Sequence, residues 1–162
     1  MSRDATSTAN VETYYRISEE VFSGELHAIE DLLAENVVMH TPLGTFEGRD
    51  AVREYIENSM EAIPDMVTSI EEAFGSGNMV AGRFVMTGTQ TGEAHEMNLP
   101  ATGQRVDIPG ALFARFEDGR CVEMWSIWDK MEFLQQLDLF PDSPSKIIRL
   151  LVSQVRSRLG SR

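Results

Sequence analysis

The sequence predicts an α+β fold, with helices packed on one face of an antiparallel sheet. Most of the first half carries apolar residues at the i, i+3, i+4 spacing of amphipathic helices. From residue 66 onward, short apolar and β-branched runs are separated by Gly, Asp and Asn, as in a meander of strands. Helices followed by such a meander are typical of α+β proteins. A length of 162 residues suits one domain with a substantial core.

The helices of the first half are predicted from their apolar periodicity. After a disordered lead-in at residues 1–9, a helix is expected over residues 10–23, closed by Gly24. A short second helix is expected around residues 29–33, and a third over residues 50–63. All three would pack their apolar stripes against the sheet.

The strands are predicted from runs bounded by turn-forming residues. They are residues 37–40, 66–74, 79–90, 106–116 and 121–128. The best local signal is Glu117-Asp118-Gly119-Arg120 between the last two runs, which predicts a tight hairpin.

The C-terminal part is expected to be helical. A short helix is predicted over residues 130–137, so the domain would span residues 10–140. Ser143 and Pro144 then predict the start of an added basic amphipathic helix over residues 143–160. Such a helix would dock on the acidic body or on a dimer partner, and binding to an acidic membrane surface is the less favoured alternative.

Composition excludes several classes of function. The net charge is −12, and because residues 143–162 contribute five basic residues and no acids, the rest carries −17. A body this acidic repels nucleic acid. No apolar run approaches the ~18 residues of a membrane span. The start of the chain lacks an apolar secretory signal, and Cys121 is the single cysteine, so a reducing, cytoplasmic location is expected.

Several short motifs occur in a characteristic order along the chain. They are NVVMHTP at 36–42, FEGRDAV at 46–52, TGE at 91–93, PATG at 100–103, RFEDGR at 115–120, EMWSIWD at 123–129 and QQL at 135–137. In order and spacing they resemble the SnoaL-like polyketide (ester) cyclases of the nuclear transport factor 2-like superfamily. The resemblance covers residues 11–137.

The resemblance implies a cone-shaped fold, in which a strongly bent sheet is wrapped by helices around one pocket. It also implies a homodimer formed on the outer face of the sheet. The founding cyclases close a ring of an aromatic polyketide by an intramolecular aldol reaction, without metal or organic cofactor. The expected ligand is therefore a small hydrophobic carbonyl compound.

An aldol reaction needs a base, and Asp129 is the candidate because it matches the catalytic aspartate of the family. Asp129 follows an apolar strand, and desolvation in an apolar pocket would raise the pKa of its carboxyl toward neutrality. By the period of two, Trp125 and Asp129 share one face of that strand. The alternative is that Asp129 caps the helix that follows it.

Other residues are expected to complete the pocket. Arg115 would hold Asp129 ionised or bind an anionic substrate, although an ion pair on the sheet surface is an equal alternative. The founding cyclases carry histidine and glutamine at the positions of Arg115 and Phe113. His40 matches a pocket histidine of the family, and a hydrogen-bonded histidine at a strand end is an equal alternative. Tyr14, Phe113 and Trp125 are expected to contact the substrate, with core packing as the alternative.

Three functions remain open from the sequence. The first is cyclase or isomerase chemistry, and the second is passive binding of a hydrophobic molecule. The third is epoxide hydrolysis by an Asp-Arg-Asp arrangement, to which Arg115 and Asp129 could contribute. The three histidines and Cys121 have no ligand-like spacing, so no metal site is expected. An enzyme would place Asp129 inside the pocket, whereas a passive binder would turn it toward the helix.

Overall fold

The computed structural model describes residues 3–140 as four α-helices and six strands. The helices are α1 (Arg3–Glu19), α2 (Ile29–Leu32), α3 (Arg49–Ala62) and α4 (Lys130–Gln136). The strands are β1 (Leu33–Thr41), β2 (Gly44–Glu47), β3 (Val67–Ser76), β4 (Met79–Thr89), β5 (Arg105–Glu117) and β6 (Arg120–Trp128). The predicted α+β class is confirmed. The predicted helix at residues 143–160 lies outside the described residues.

The strands form one sheet in the order β2-β1-β6-β5-β4-β3. Four of its five pairings are antiparallel, and β1 runs parallel to β6. The prediction of a purely antiparallel sheet is therefore wrong for the pairing of β1 with β6. After β2 the chain crosses through α3 to the opposite edge of the sheet. From β3 it returns as an antiparallel meander to β6, which lies parallel to β1.

Helix α1 begins earlier than expected. It starts at Arg3 instead of residue 10, so residues 3–9 are helical and the prediction of a disordered lead-in is corrected there. The reason is a tertiary contact. Ser7 and Val11 lie so close to Gly75 of β3 that a Cβ at Gly75 would be 2.7 Å from Ser7 Oγ. Packing against the sheet supports a helical turn that local preference alone does not predict.

Two predicted turns are confirmed. Gly24 adopts φ 98° and its N–H donates to the carbonyl of Val21, so it ends a short 3-10 helix that follows α1. Asp118 and Gly119 have φ 49° and 78°, the left-handed pair that a two-residue hairpin turn requires. That turn sets the pairing of Glu117 with Arg120 and of Phe116 with Cys121. A bulge between Phe116 and Arg115 then shifts the register of β5 against β6 by one residue.

The inner face of the sheet is defined most clearly by β5. Its even-numbered residues are nearly all buried: Val106, Ile108, Leu112, Ala114 and Phe116. The odd-numbered residues include Arg105, Asp107, Arg115 and Glu117, and they face away from the helices. Helices α1 and α3 pack over the buried side. The core therefore lies between the helices and this inner face.

Candidate functional site

An inner cavity lies between the helices and the sheet. Every strand except β2 contributes apolar side chains to its wall: Met39, Ile70, Phe84, Leu112 and Trp128. Phe22, Ile56 and Phe133 close it from the helical side. The centres of water-sized molecules can occupy about 100 Å³ of it. One such molecule needs roughly 10–15 Å³ on this measure, so the cavity has room for a small organic ligand.

Few polar groups reach this cavity. The hydroxyl residues in its wall are Ser18, Tyr55, Ser59, Thr68 and Ser126, and the acidic residue is Glu96. Ser18 is 1% exposed, and its Oγ has no hydrogen-bond partner among the described residues. An unpaired buried hydroxyl costs roughly 1–3 kcal/mol. A polar atom of a bound ligand, or an ordered water, would supply the missing partner.

Asp129 lies outside the inner cavity. Its Oδ1 accepts hydrogen bonds from the backbone N–H groups of Met131 at 2.8 Å and Glu132 at 3.1 Å, so it is the N-cap of α4. It borders a separate open groove with Ile127 and Lys130. The expected location in an apolar pocket is corrected, because the residue that faces the inner cavity at this strand end is Trp128.

Arg115 and His40 also lie away from the cavity, on the outer face of the sheet. Glu123 joins them: one of its oxygens is 3.0 Å from His40 Nε2, and the other accepts from Arg115 at 3.1 Å. Trp125 lies between them, stacked on the His40 ring at 5.5 Å and covered by the Arg115 guanidinium at 5.4 Å. Arg115 therefore pairs with Glu123 and not with Asp129.

The predicted substrate contacts are divided between two places. Phe113 is the cross-strand neighbour of Trp125, and both lie on the outer face. Tyr14 is fully buried, and its hydroxyl donates to the carbonyl of Leu112 at 3.2 Å. Tyr14 does not line the cavity. The structure thus brings His40, Arg115, Phe113 and Trp125 together, but outside the space where they were expected to act.

A scan against protein-family models matches the SnoaL-like polyketide cyclase model over residues 12–137. This chain belongs to the SnoaL-like polyketide cyclase family.

Solved structures of other proteins share the fold. A proposed SnoaL-like polyketide cyclase from Jannaschia sp. CCS1 is 22% identical with a TM-score of 0.77, covering 84% of this chain and 96% of its own. IdmH, a proposed polyketide cyclase from Streptomyces antibioticus, is 28% identical with a TM-score of 0.69, covering 80% and 98%. AclR, a proposed hydroxylase from Streptomyces galilaeus, is 23% identical with a TM-score of 0.73, covering 96% of each chain. No match was found among curated proteins. The predicted cone-shaped fold is confirmed.

Sequence reasoning missed the polar residues that this SnoaL-like cavity does contain. The sequence indicated Tyr55 only through the apolar periodicity of the third predicted helix, which corresponds to α3. Glu96 lies in the segment between β4 and β5, where no periodicity marks an inward side chain. Ser18 shares the buried side of α1 with Ile17, and its helical position was its only signal.

Proposed function

We propose that this chain encloses a small, largely apolar carbonyl compound in the inner cavity and performs cyclase or isomerase chemistry on it, without metal or organic cofactor. The observation that carries the proposal is the inner cavity itself, an apolar space with a few polar groups in its wall. Apolar walls bind a hydrophobic ring system, while a small number of polar atoms orient it. Family membership supports the reaction type.

The geometry does not favour the epoxide hydrolase alternative. That mechanism needs two carboxylates and an arginine around one water. Arg115 is paired with Glu123 on the outer face, and Asp129 caps α4.

Within residues 3–140, no three His, Cys, Asp or Glu side chains are grouped so that they could hold a metal ion.

Filling the cavity should weaken the binding of a model ligand. Thr68 and Ser69 are adjacent in β3, but Thr68 lines the cavity whereas Ser69 is exposed on the other face. Thr68→Trp should weaken the binding of 2-tetralone, a small apolar ketone, by about tenfold or more, a loss of ~1.4 kcal/mol. Isothermal titration calorimetry measures the Kd directly.

The matched control is Ser69→Trp, which adds the same ring to the same strand on the outer side. Its Kd should equal that of the unmodified protein. Equal weakening by both variants would show that the ligand does not occupy the inner cavity. Binding of 2-tetralone without any turnover of carbonyl compounds would favour the passive binding module.

We also propose a homodimer formed on the outer face of the sheet. This face exposes large apolar side chains, with Phe74 67%, Ile127 56%, Val67 55% and Phe113 39% accessible. Large apolar side chains exposed on one face are typical of an interaction site. The support is this exposure together with family membership.

A charge placed in this apolar face should give a monomer. Phe113→Glu would have to bury a carboxylate between two copies, so light scattering at micromolar concentration should change from twice the chain mass to the chain mass. Phe140→Glu, at an aromatic residue of similar exposure outside the sheet, should leave the dimer intact. A monomer mass for the unmodified protein would refute the proposed dimer.

A cytoplasmic location stays a prediction. Cys121 is buried, and burial raises the pKa of its thiol, to about 12, so it is a poor candidate for disulfide exchange. Within residues 3–140, no helix has the length and apolar character needed to cross a membrane. The net charge of −17 outside residues 143–162 also argues against a nucleic-acid partner.

A further inference from the structure

Glu96 is the one carboxylate that lines the inner cavity within the part of the chain that the structure describes. It lies in a 3-10 turn, His95–Met97, in the segment that joins β4 to β5. The amide Nδ2 of Asn58, on α3, donates to Glu96 Oε1 at 2.9 Å. This hydrogen bond orients the carboxylate, so the cavity contains a positioned acceptor for protons.

Tyr55 is a hydroxyl donor in the wall of the same cavity. It is 8% exposed, and its ring packs on Phe46 with centroids 4.5 Å apart. Burial raises the pKa of Tyr55 to about 12; hydrogen bonds with Ser59 and Thr41 act downward, and the charge of Glu96 acts upward. The phenol therefore keeps its proton throughout the physiological range and can donate a hydrogen bond.

Tyr55 and Glu96 both line the inner cavity, and Asn58 on α3 links them. Asn58, which holds Glu96, follows Tyr55 by three residues on α3, and side chains at that spacing lie on one face of a helix. A carboxylate acceptor and a phenol donor thus border one apolar space.

We propose that Glu96 is the catalytic base of this chain and that Tyr55 is the hydrogen-bond donor that stabilises the enolate. The proposal rests on the proposed function, because it requires a carbonyl compound in the inner cavity. It assigns the reaction to residues other than the aspartate expected from the family resemblance.

The chemistry needs no further reactant. The Glu96 carboxylate takes a proton from the carbon next to the substrate carbonyl, and the C–H electron pair becomes the C=C bond of an enolate. The enolate oxygen accepts a hydrogen bond from the Tyr55 hydroxyl. In an isomerisation, Glu96 returns the proton to another carbon of the same conjugated system. In an aldol closure, the enolate carbon bonds to a second carbonyl carbon, and the resulting alkoxide takes the proton from Glu96.

The experiment follows proton removal directly, so it does not need the natural substrate. The protein is incubated with 2-tetralone in D₂O, and exchange of the protons next to the carbonyl is measured by NMR. Glu96→Gln keeps the shape and can still accept from Asn58, but it cannot take a proton. Exchange catalysed by the protein should fall by about 10²-fold or more, with the Kd for 2-tetralone nearly unchanged.

The matched control is Glu93→Gln, which makes the same chemical change on an exposed side chain three residues earlier. It should exchange at the unmodified rate. Tyr55→Phe should reduce exchange by roughly 10²-fold, because it removes the donor and keeps the ring. Circular dichroism and the Kd of each variant separate loss of chemistry from loss of folding.

The outcomes distinguish this proposal from the proposed function. If 2-tetralone binds and exchanges but Glu96→Gln retains the rate, Glu96 is not the base, although the cavity still binds ligand. If Asp129→Asn then removes exchange, the base is the aspartate expected from the family. If 2-tetralone binds and no exchange occurs, the assignment of Glu96 is overturned while binding stands. If the unmodified protein binds neither 2-tetralone nor larger aromatic ketones, the proposed function itself fails.

Discussion

Replacing Gln90 by leucine should lower the free energy of unfolding by about 3 kcal/mol, because several hydrogen bonds are lost in a buried place. The Gln90 side chain is fully buried. Its Nε2 donates to the carbonyls of Gly92 at 2.7 Å and Pro100 at 3.1 Å, and its Oε1 accepts from the N–H and the hydroxyl of Thr102 at 2.7 and 2.6 Å. Leucine fills a similar volume but leaves these groups without their partner.

The same change should reduce exchange of 2-tetralone. Gln90 ties together both ends of the segment that carries Glu96, and a loosened segment no longer holds the carboxylate against the cavity. Urea unfolding measures the stability, and NMR measures the exchange. Gln104→Leu is the matched control, since the Gln104 side chain makes no hydrogen bond within the described residues. Equal effects of the two variants would show that Gln90 does not organise this segment.

Replacing Gly82 by alanine should cost on the order of 3 kcal/mol, because the helix and the sheet leave no space for a methyl group. A Cβ at this position would lie 2.6 Å from the hydroxyl oxygen of Tyr14 and 2.8 Å from the backbone carbonyl oxygen of Glu72. The hydrogen bond from Tyr14 to Leu112 would have to shift as well. A lower midpoint of urea unfolding is the expected result.

Part of this cost should be relieved by a second substitution. In the double variant Gly82→Ala, Tyr14→Phe, the hydroxyl is gone, whereas the contact with the backbone of Glu72 remains. The double variant should therefore lose less stability than the sum of the two single variants, a coupling of about 1 kcal/mol. Strict additivity would show that Tyr14 does not pack against Gly82 and that α1 lies farther from the sheet.

The sequence was sufficient to predict the α+β class, the hairpin and the family. These follow from local signals: helical apolar periodicity, strand runs between turn residues, and Asp118-Gly119 at a two-residue turn. The beginning of α1 was predicted too late, because its first turns depend on the contact of Ser7 with Gly75. No local preference in residues 3–9 reports a contact with a strand so far along the chain.

The site residues were predicted less well than the fold, because the cavity was expected on the face of the sheet that is its outer face. The period of two correctly groups Trp125 with Ile127 on β6, but that shared face is the outer one. A signal was present in β5, where the residues of the same parity as Phe113 and Arg115 include Arg105, Asp107 and Glu117. The opposite parity is almost entirely apolar, which identifies it as the inner face.

The sequence by itself therefore determined which side chains share a face of each strand and where the turns fall, because both depend on neighbours within a few residues. Only the tertiary structure decided which face encloses the cavity, since that choice depends on where the helices pack. Only the tertiary structure revealed Glu96 as a cavity residue. Its position depends on the hydrogen bond from Asn58 on α3 and on the hydrogen bonds around Gln90. The hydrogen bond between Asn58 and Glu96 joins residues 38 positions apart in the chain, and no local pattern encodes it.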